Sequence, residues 1–548
     1  MNRMTGAQLI IALLQRQGIR IVAGIPGGAN LPLYDALAQS PHIRHILARH
    51  EQGAGFIAQG IARATGQPAV CLATSGPGAT NVLTAIADAK LDSIPVICIT
   101  GQVSTAMIGT DAFQEVDTYG MSIPITKHNF LVRSAAQLLE VIPDAFRIAV
   151  SGRPGPVLID VPKDVQNQLV EFADWPAPGR ADAPPPLDSD ALARAAAMIN
   201  AAQRPILYLG GGVIHANASA AAVQLAEKAG LPTTMTLMAL GVMPSEHELS
   251  LGMLGMHAAP FTNLALEECD LLIAVGARFD DRATGKVARF CPQARIIHVD
   301  IDAGELDKIK PAHVGLVADA GEALTALLPR VAADPRRAWR ERVAALKRRH
   351  PLPGCKPHEI VRQVAALAGD EAIIATDVGQ HQMWAAQAYP LRKPRRWLTS
   401  GGLGTMGFGL PTAIGAALAR PDKTVICFSG DGSLLMNIQE LATAAELGVN
   451  VKIVLMNNNS LGLVRQQQTL FYGRRIFGAD YQMRVNFLKV AEGFGVPAFE
   501  WEDLDAAMAT AGPSLIHAPV DAAEYVLPMV PPGAANKDMI GGEVHAHA

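Results

Sequence analysis

Two short polar stretches in the last third of this 548-residue chain have the residue types of a metal and phosphate site. The strand-like run TVICFS leads into Gly430-Asp431-Gly432-Ser433. A helical pattern follows, with Ile438, Leu441 and Ala445 on one face and Gly448 to end it, and a second strand-like run, VKIVLM, then exits into Asn457-Asn458. In a crossover unit the two strand ends can lie side by side, which brings Asp431 and Asn458 to one point. A carboxylate and an amide oxygen are hard donors suited to Mg2+, an ion that takes oxygen ligands at roughly 2.0–2.1 Å and shares its sphere with phosphate. Gly432 and Ser433 open the helix, so free backbone N–H groups and the helix dipole face an anion there. A bare Gly-Asp-Gly is as readily a tight strand-to-helix turn. The Asn pair 24 residues further on, across one helix and one strand, is far more specific.

Other strand exits are also polar or Gly-rich. Val378-Gly379-Gln380-His381 leaves the run AIIATD, and the segment Ser400 to Pro411 follows it. Near the N terminus, IRHILA runs into Arg49-His50-Glu51-Gln52 at the start of a helix. A glutamate there also serves as an ordinary partner of the helix dipole. In the middle, Gly210-Gly211-Gly212 follows PILYL; the triplet permits close backbone approach to a ligand but is not a dinucleotide fingerprint.

These exits need sheets to hold them. Short apolar runs alternate with helical patterns throughout: AVCLAT, VICIT and VLIDVP, then ILYLGGG, LLIAVGA and IIHVDID, then AIIATDVG, VICFSGDG and KIVLMNN. Buried strands alternating with longer helices imply α/β domains with mainly parallel, doubly wound sheets. The Pro- and Ala-rich stretch Glu171 to Asp188 and the segment Pro335 to Lys356 read as linkers. They divide the chain into domains expected over 1–170, 187–335 and 356–548. The chain opens with Thr5 and Gln8 as a capping box, Leu9, Leu13 and Leu14 as an apolar stripe and Gly18 as a stop. That beginning is expected to belong to the fold, with no targeting segment. The tail GGEVHAHA is expected to be disordered.

With 49% hydrophobic and 18% charged residues the composition is globular, and no apolar run is long enough for a bilayer. A net charge of −4 and the lack of a Lys/Arg block argue against nucleic acid as a partner. Six cysteines without a CxxC pair, several in apolar strands, suit buried reduced thiols and a cytoplasmic location.

The Gly-Asp-Gly…Asn-Asn pattern is that of thiamine-diphosphate-dependent enzymes, which this chain resembles. The strings ARHEQGAGFIAQGIARATG and ATSGPGATN, with IPGGANLPLYDAL, ITGQVSTAMIGTDAFQEVD, RPGPVLIDVPKDVQ, AVGARFDDRATGK, VDIDAGELDKIK and PMVPPGAAN, narrow the resemblance. They are similar to the FAD-containing acetohydroxyacid (acetolactate) synthase catalytic subunits, the bacterial isozyme I type above all, over essentially the whole chain. That likeness implies a pyrimidine-binding, a central FAD-binding and a diphosphate-binding domain. It implies decarboxylation of pyruvate and transfer of the hydroxyethyl unit to pyruvate or 2-ketobutyrate, the first common step toward the branched-chain amino acids. Homodimers with the active site at the interface and a small regulatory subunit are implied partners; nucleic acid and membrane are not.

Residue by residue, the resemblance makes Glu51 the carboxyl that pairs with the pyrimidine ring of thiamine diphosphate, the main protein acid/base. Pro77, Asn81, Gln380, His381, Gly404, Met406, Gly432 and Ser433 join it around the cofactor. Gln380 and His381 are expected to donate to the diphosphate and Met406 to hold the cofactor bent. Ser460 is added to Asp431 and Asn458 at the Mg2+ ion. FAD contacts are assigned to Arg153, Gly210, Gly211, Gly212, Thr236, Leu237, Met238, Met256, His257, Gly276, Arg278, Asp280, Asp300, Ile301 and Asp319. The flavin is structural by resemblance, since the reaction has no net redox change. Arg282 is expected to hold the acceptor carboxylate, with an ion pair to Asp280 or Asp281 or a flavin contact as its other readings. Gln114, Lys163 and Phe113 complete that pocket.

The chain departs from the family at Gln467, where many members carry a tryptophan that packs against the extra methyl of 2-ketobutyrate. One methylene is worth roughly 1–3 kcal/mol, about 10–200-fold, so Gln467 is expected to favour acetolactate. Herbicide sensitivity in the family rests on the same wall. The rival readings are an FAD-dependent pyruvate oxidase or decarboxylase, a glyoxylate carboligase and a non-catalytic relative. RFDDR and PMVPPGAAN argue against the first, and Glu51 against the second. Glu51, Asp431 and Asn458 together argue against the third.

Overall fold

The structure is a computed structural model that describes residues 1–541. Residues 542–548, on which the expectation for the GGEVHAHA tail falls, lie outside the described residues.

A short antiparallel pair, β1 (Asn2–Thr5) with β8 (Leu169–Phe172), ties the beginning of the chain to the end of the first domain. Between them lie β2 (Ile21–Gly24), β3 (Arg44–Leu47), β4 (Ala69–Ala73), β5 (Val96–Gln102), β6 (His128–Leu131) and β7 (Val157–Pro162). They form one parallel sheet in the order β3-β2-β4-β5-β7-β6. The second sheet comprises β9 (Pro205–Leu209), β10 (Thr233–Met235), β11 (Ser250–Met253), β12 (Leu271–Val275), β13 (Arg295–Asp300) and β14 (Val314–Val317), ordered β11-β10-β9-β12-β13-β14. The third comprises β15 (Ile373–Thr376), β16 (Trp397–Leu398), β17 (Val425–Gly430), β18 (Val451–Asn457), β19 (Ala498–Glu500) and β20 (Ser514–Pro519), ordered β16-β15-β17-β18-β20-β19. The α/β class with parallel, doubly wound sheets is the one that alternation of apolar runs and helices predicts.

In each sheet the chain starts in the interior, winds one way and then reverses. The reversals fall at β2/β4, β9/β12 and β15/β17. Connections on either side of such a point diverge and leave a crevice at the carboxyl ends of the strands, where α/β folds bind ligands. The exits at Gly210, Val378 and Asp431 open at two of these crevices, whereas Glu51 follows the edge strand β3 and Asn458 follows β18, one strand further out.

Burial follows the patterning. The helix Gly6–Arg16 has both hydrogen bonds of the Thr5/Gln8 capping box, and Leu9, Leu13 and Leu14 are buried in the first core. All six cysteines are free thiols and five are buried. Residues 175–188 carry no helix or strand, and the Asp188 carboxylate caps the helix Ser189–Ala201. Beyond 335, the helix Arg337–Arg349 buries Trp339, Val343 and Leu346 in the same cluster as Ile206, Tyr208 and Leu272. Its Trp339 Nε1–H donates to Pro205 O at 3.0 Å, so this helix packs on the central sheet.

First and third domains meet along the helices Glu51–Thr65 and Gly409–Ala419. A Cβ at Gly60 would overlap Thr412 O, and one at Gly415 would overlap Ile57 O. Only glycine lets the two backbones approach this closely.

Candidate active site

Asp431 leaves β17 and starts a short helix; Asn458 and Ser460 follow β18, its neighbour in register. The Asp431 Oδ2 atom is buried and has no hydrogen-bond partner among the described residues. Burial pushes its carboxyl up to about 6, against the pull of nearby backbone N–H groups. A buried acceptor left unpaired is costly, and a cation facing it removes that cost. Ser460 donates to Asn458 Oδ1 through its backbone N–H (3.1 Å) and its hydroxyl (3.3 Å). Among the described residues no group of three or more His, Cys, Asp and Glu side chains could hold a metal. A single carboxylate beside neutral oxygens suits Mg2+ sharing its sphere with phosphate rather than a zinc-type centre. The donor set therefore fits.

His381 stands in the first turn of the helix Gln380–Ala388, at the exit of β15. Its Nε2 is buried without a partner, and burial drives the imidazolium down to about 3, so the ring is neutral. A neutral ring carries a single N–H, which donates to an anion when it sits on Nε2 and not on Nδ1. The Gln380 side chain is engaged by neighbouring residues. Its Oε1 accepts from Asn458 Nδ2 (2.9 Å), and its Nε2 donates to Gln466 Oε1 (3.0 Å) and Glu524 O (2.9 Å). The side chain thus orients Asn458, and the open N–H groups of the helix's first turn are left to face a diphosphate. A Cβ at Gly432 would lie 2.7 Å from the Tyr481 hydroxyl and 3.6 Å from Met406 Cε, which places Met406 over the Gly-Asp-Gly turn. Gly404, with φ +69°, leaves open space beside Val378.

Glu51 belongs to a second cluster in the first domain. It is the first residue of the helix Glu51–Thr65, is 9% exposed, and accepts from Asn81 Nδ2 through Oε2 at 3.0 Å. Its other oxygen faces Gly78, where a Cβ would lie 3.2 Å away. Pro77 opens the helix Pro77–Leu91 that carries Asn81. Gln114, in the left-handed region at φ 59°, backs onto Gly76 of the same turn. Phe113 beside it is 88% exposed, and Lys163 is half-buried at the start of the helix Lys163–Asn167. The approach to Glu51 is held from the third domain by the buried Glu440, whose Oε1 accepts from the N–H groups of Arg49 (2.9 Å) and His50 (3.1 Å). Among the described residues no hydrogen bond joins the Glu51 cluster to the Asp431 cluster.

The central crevice is a cavity of about 780 Å³. Arg153, Gly210, Gly211, Gly212, Thr236, Met238, Gly276, Arg278, Asp280, Asp300, Ile301 and Asp319 line it, together with Arg63 and Asp92 of the first domain and Arg395 and Trp397 of the third. That volume suits a dinucleotide-sized cofactor, and the donor set of arginines, glycine-rich exits and carboxylates fits one. A Cβ at Gly210 would overlap Gly276 O, and one at Gly212 would lie 2.7 Å from Gly276 Cα. These two glycines therefore serve the close approach of the β9 and β12 exits as well as lining the cavity, and a Cβ at Gly211 would itself meet Met238 Cβ at 3.3 Å. Leu237, Met256 and His257 are not among the lining residues. His257 Nδ1 pairs with Pro528 O at 3.0 Å, and Met256 O accepts from Val530 N at 3.0 Å. Both bonds hold the C-terminal PMVPPGAAN segment.

The same segment reaches the acceptor candidate. Asn536 Nδ2 donates to Ala283 O at 2.9 Å, next to Arg282 on the short helix Asp281–Thr284. Asp280 caps that helix, and Arg282, with its side chain 68% exposed, lies 3.7 Å from Asp281. An exposed pair this long is worth little, so the guanidinium stays available to a carboxylate. Gln467 is exposed on the helix Gly462–Phe471, whereas Gln466 faces inward and bonds Val526. Sequence reasoning missed Gln466, Glu440 and Tyr481, because a lone polar residue in a helix or loop carries no spacing signal.

No helix among the described residues is long and apolar enough to cross a membrane. The chain matches the thiamine pyrophosphate enzyme N-terminal TPP binding domain over residues 4–121, the central domain over 192–327 and the C-terminal TPP binding domain over 377–518. It is 62% identical to the acetolactate synthase isozyme 1 large subunit of Escherichia coli, over 98% of each chain. It is 46% identical to the isozyme 2 large subunit of the same organism, over 98% of this chain and 99% of that one. Against acetolactate synthase 1, chloroplastic, of Nicotiana tabacum it is 46% identical over 98% of this chain and 84% of that one. Carried along nearly its whole length by these likenesses, the chain belongs to the acetolactate synthase large-subunit family of thiamine pyrophosphate enzymes.

Proposed function

We propose that the two clusters are the halves of one acetolactate synthase site, completed between two copies of this chain, with Mg2+ and thiamine diphosphate in the third domain and FAD in the central cavity. The reaction takes pyruvate, releases CO2 and joins the remaining two-carbon unit to a second pyruvate or to 2-ketobutyrate. The observation that carries the reading is the pairing of two unpartnered buried atoms, Asp431 Oδ2 and His381 Nε2, at neighbouring strand exits.

Asp431, Asn458 and Ser460 would hold Mg2+, and His381, Gly432 and Ser433 the diphosphate. When bound, thiamine diphosphate supplies the electron sink that decarboxylation requires. Glu51 Oε2, oriented by Asn81, holds or releases a proton at the pyrimidine ring nitrogen. Met406 and the turn around it shape the cofactor's seat. Arg282 orients the acceptor carboxylate, with Gln114, Lys163 and Phe113 around it, and closure of the site excludes the water that would divert the product to acetaldehyde. FAD in the cavity would join the three domains whose side chains line it.

A dimer is favoured by exposed apolar side chains flanking both halves: Phe113 and Ile123 in the first domain, Met436, Phe477 and Met483 in the third. Patches of this kind mark interaction surfaces. The relatives' designation as large subunits supports a small regulatory partner. Free, mostly buried thiols suit a cytoplasmic location. The deciding experiment is incubation of the purified chain with pyruvate, Mg2+, thiamine diphosphate and FAD, with separate quantitation of acetolactate, acetaldehyde and acetate. Acetolactate as main product is expected; acetate or acetaldehyde in its place refutes the reading in favour of an oxidase or a decarboxylase.

A further inference from the structure

We propose that Asp88 and Asp92, at the end of a first-domain helix, are positioning residues for the third-domain loop that carries Met406. The proposal rests on the reading of Met406 as a cofactor contact and adds to it the group that sets the loop's shape.

The loop has little to hold itself. Residues 401–404 are Gly-Gly-Leu-Gly, all four exposed, and glycine loses the most conformational freedom on ordering. The first domain supplies most of the bonds that hold it. Asp92 Oδ2 accepts from Gly401 N at 3.1 Å and Oδ1 from Gly402 N at 2.7 Å. Asp88 Oδ2 accepts from the Thr405 hydroxyl at 2.8 Å and from the Ser400 hydroxyl. Ser400 Oγ in turn accepts from Thr405 N at 2.9 Å. Both carboxylates are buried, and Arg63 ties them together, with Nη2 at 3.3 Å from Asp88 and 2.8 Å from Asp92. Arg63 also donates to Thr399 O at 2.9 Å and lies 5.0 Å over the ring of Phe408. Gln382 of the third domain adds bonds to Thr399 Oγ1 (2.7 Å) and Ser400 O (3.1 Å), and the first-domain anchors all come from one buried cluster.

Charge explains why the loop must sit there. Two carboxylates face one guanidinium, so the cluster carries an excess negative charge in the interior. The N–H and O–H donors of the loop are what satisfy it, and hydrogen bonds to an ionised acceptor are roughly twice as strong as neutral ones. The loop is thus drawn to the cluster as firmly as the cluster needs the loop. On the other flank, Gly407 N donates to Asp377 Oδ1 (2.8 Å) and Gly407 O accepts from Asn437 Nδ2 (2.7 Å). Met406 lies between these two sets of anchors.

Thr405→Val tests this with nearly unchanged shape and an intact Arg63–Asp pair; Asp92→Asn is the second variant and Thr405→Ser the rescue. Amide hydrogen exchange over residues 399–409 is measured in the full chain without cofactors. Thiamine diphosphate affinity and the rate of C2–H exchange of the bound cofactor at saturation follow. We expect Thr405→Val and Asp92→Asn each to lower loop protection about tenfold, to weaken cofactor binding about tenfold and to slow C2–H exchange at saturation. Thr405→Ser is expected to recover most of each. A general loss of folding would lower protection throughout the chain, not in this loop alone. Met406→Ala separates the two layers of the reasoning. If it leaves affinity and C2–H exchange unchanged, the reading of Met406 fails and the proposal with it. If it lowers them while Thr405→Val and Asp92→Asn do not, the positioning role of Asp88 and Asp92 is overturned.

Discussion

Replacing Glu51 by Gln removes an exchangeable carboxyl proton while leaving nearly the same shape. The side chain is buried, its Oε2 receives one hydrogen bond from Asn81 and its other oxygen faces Gly78. A glutamine can turn its amide so that its oxygen still accepts from Asn81 Nδ2. Its NH2 then points where Oε1 stood, toward the small space beside Gly78, so the cost to folding should stay under about 1 kcal/mol. What is lost is proton transfer at the pyrimidine ring. A positioned acid or base contributes about 10²–10⁴-fold. At 1.36 kcal/mol per decade that is a barrier increase of about 3–5 kcal/mol. The assay is initial-rate acetolactate formation at saturating pyruvate, Mg2+, thiamine diphosphate and FAD, paired with thermal melting of the same preparation. We expect kcat to fall by at least 100-fold with KM for pyruvate within a few-fold and the melting temperature nearly unchanged. Turnover within threefold of the parent chain would refute Glu51 as the acid/base. A large fall in melting temperature would instead move the residue to a structural role.

Further outcomes follow from other positions. Asp431→Asn should raise the Mg2+ concentration for half-maximal activity by more than about 100-fold, beyond what changes outside the coordination sphere cause. It should also leave the metal-free chain at least as stable as the parent, because a buried unpartnered carboxylate disappears; calorimetry with and without Mg2+ checks both. Gln467→Trp places an apolar wall on an exposed helix position and should raise the preference for 2-ketobutyrate over pyruvate by about 10–200-fold, read from product ratios in mixed-substrate competition. Burial drives the His257 pKa down to about 4 from an ordinary value of 6.5. A folded-state pKa below the unfolded one supports stability above pH 6.5, and that support is lost as pH falls from 6.5 toward 4. At pH 5.5, one unit below the unfolded value, the loss is about 1.4 kcal/mol. Denaturant unfolding at pH 7.5 and 5.5 should show His257→Asn losing less stability than the parent by that amount. An equal loss in both would refute the assignment.

Much of the fold could be read from the chain alone, because short apolar runs between helical patterns can bury themselves in few ways. Parallel sheets wound in both directions follow from that pattern, and polar strand exits must then open at the carboxyl edge of each sheet. The proximity of Asp431 and Asn458 was legible for this reason: one crossover unit separates them and β17 pairs with β18 in register. Local rules also sufficed for the Thr5/Gln8 capping box and the buried cysteines.

Tertiary structure decided what depends on contacts remote in sequence. Nothing near Gly210 or Gly212 announces that Gly276 fills the space above them, so a triplet that suggests ligand approach is half a packing device. Gln380 looks like a phosphate donor until Gln466 and Glu524 engage its amide. Met256 and His257 precede the C-terminal segment they bind by more than 250 residues. Asp88 and Asp92 read as ordinary charges on a helix, and only folding encloses them with Arg63 and the Met406 loop. Periodicity reports which face of an element is apolar, because that depends on neighbours along the chain. Which buried polar atom meets which is settled by the packing of whole domains, where every such atom must find a partner or be left for a ligand.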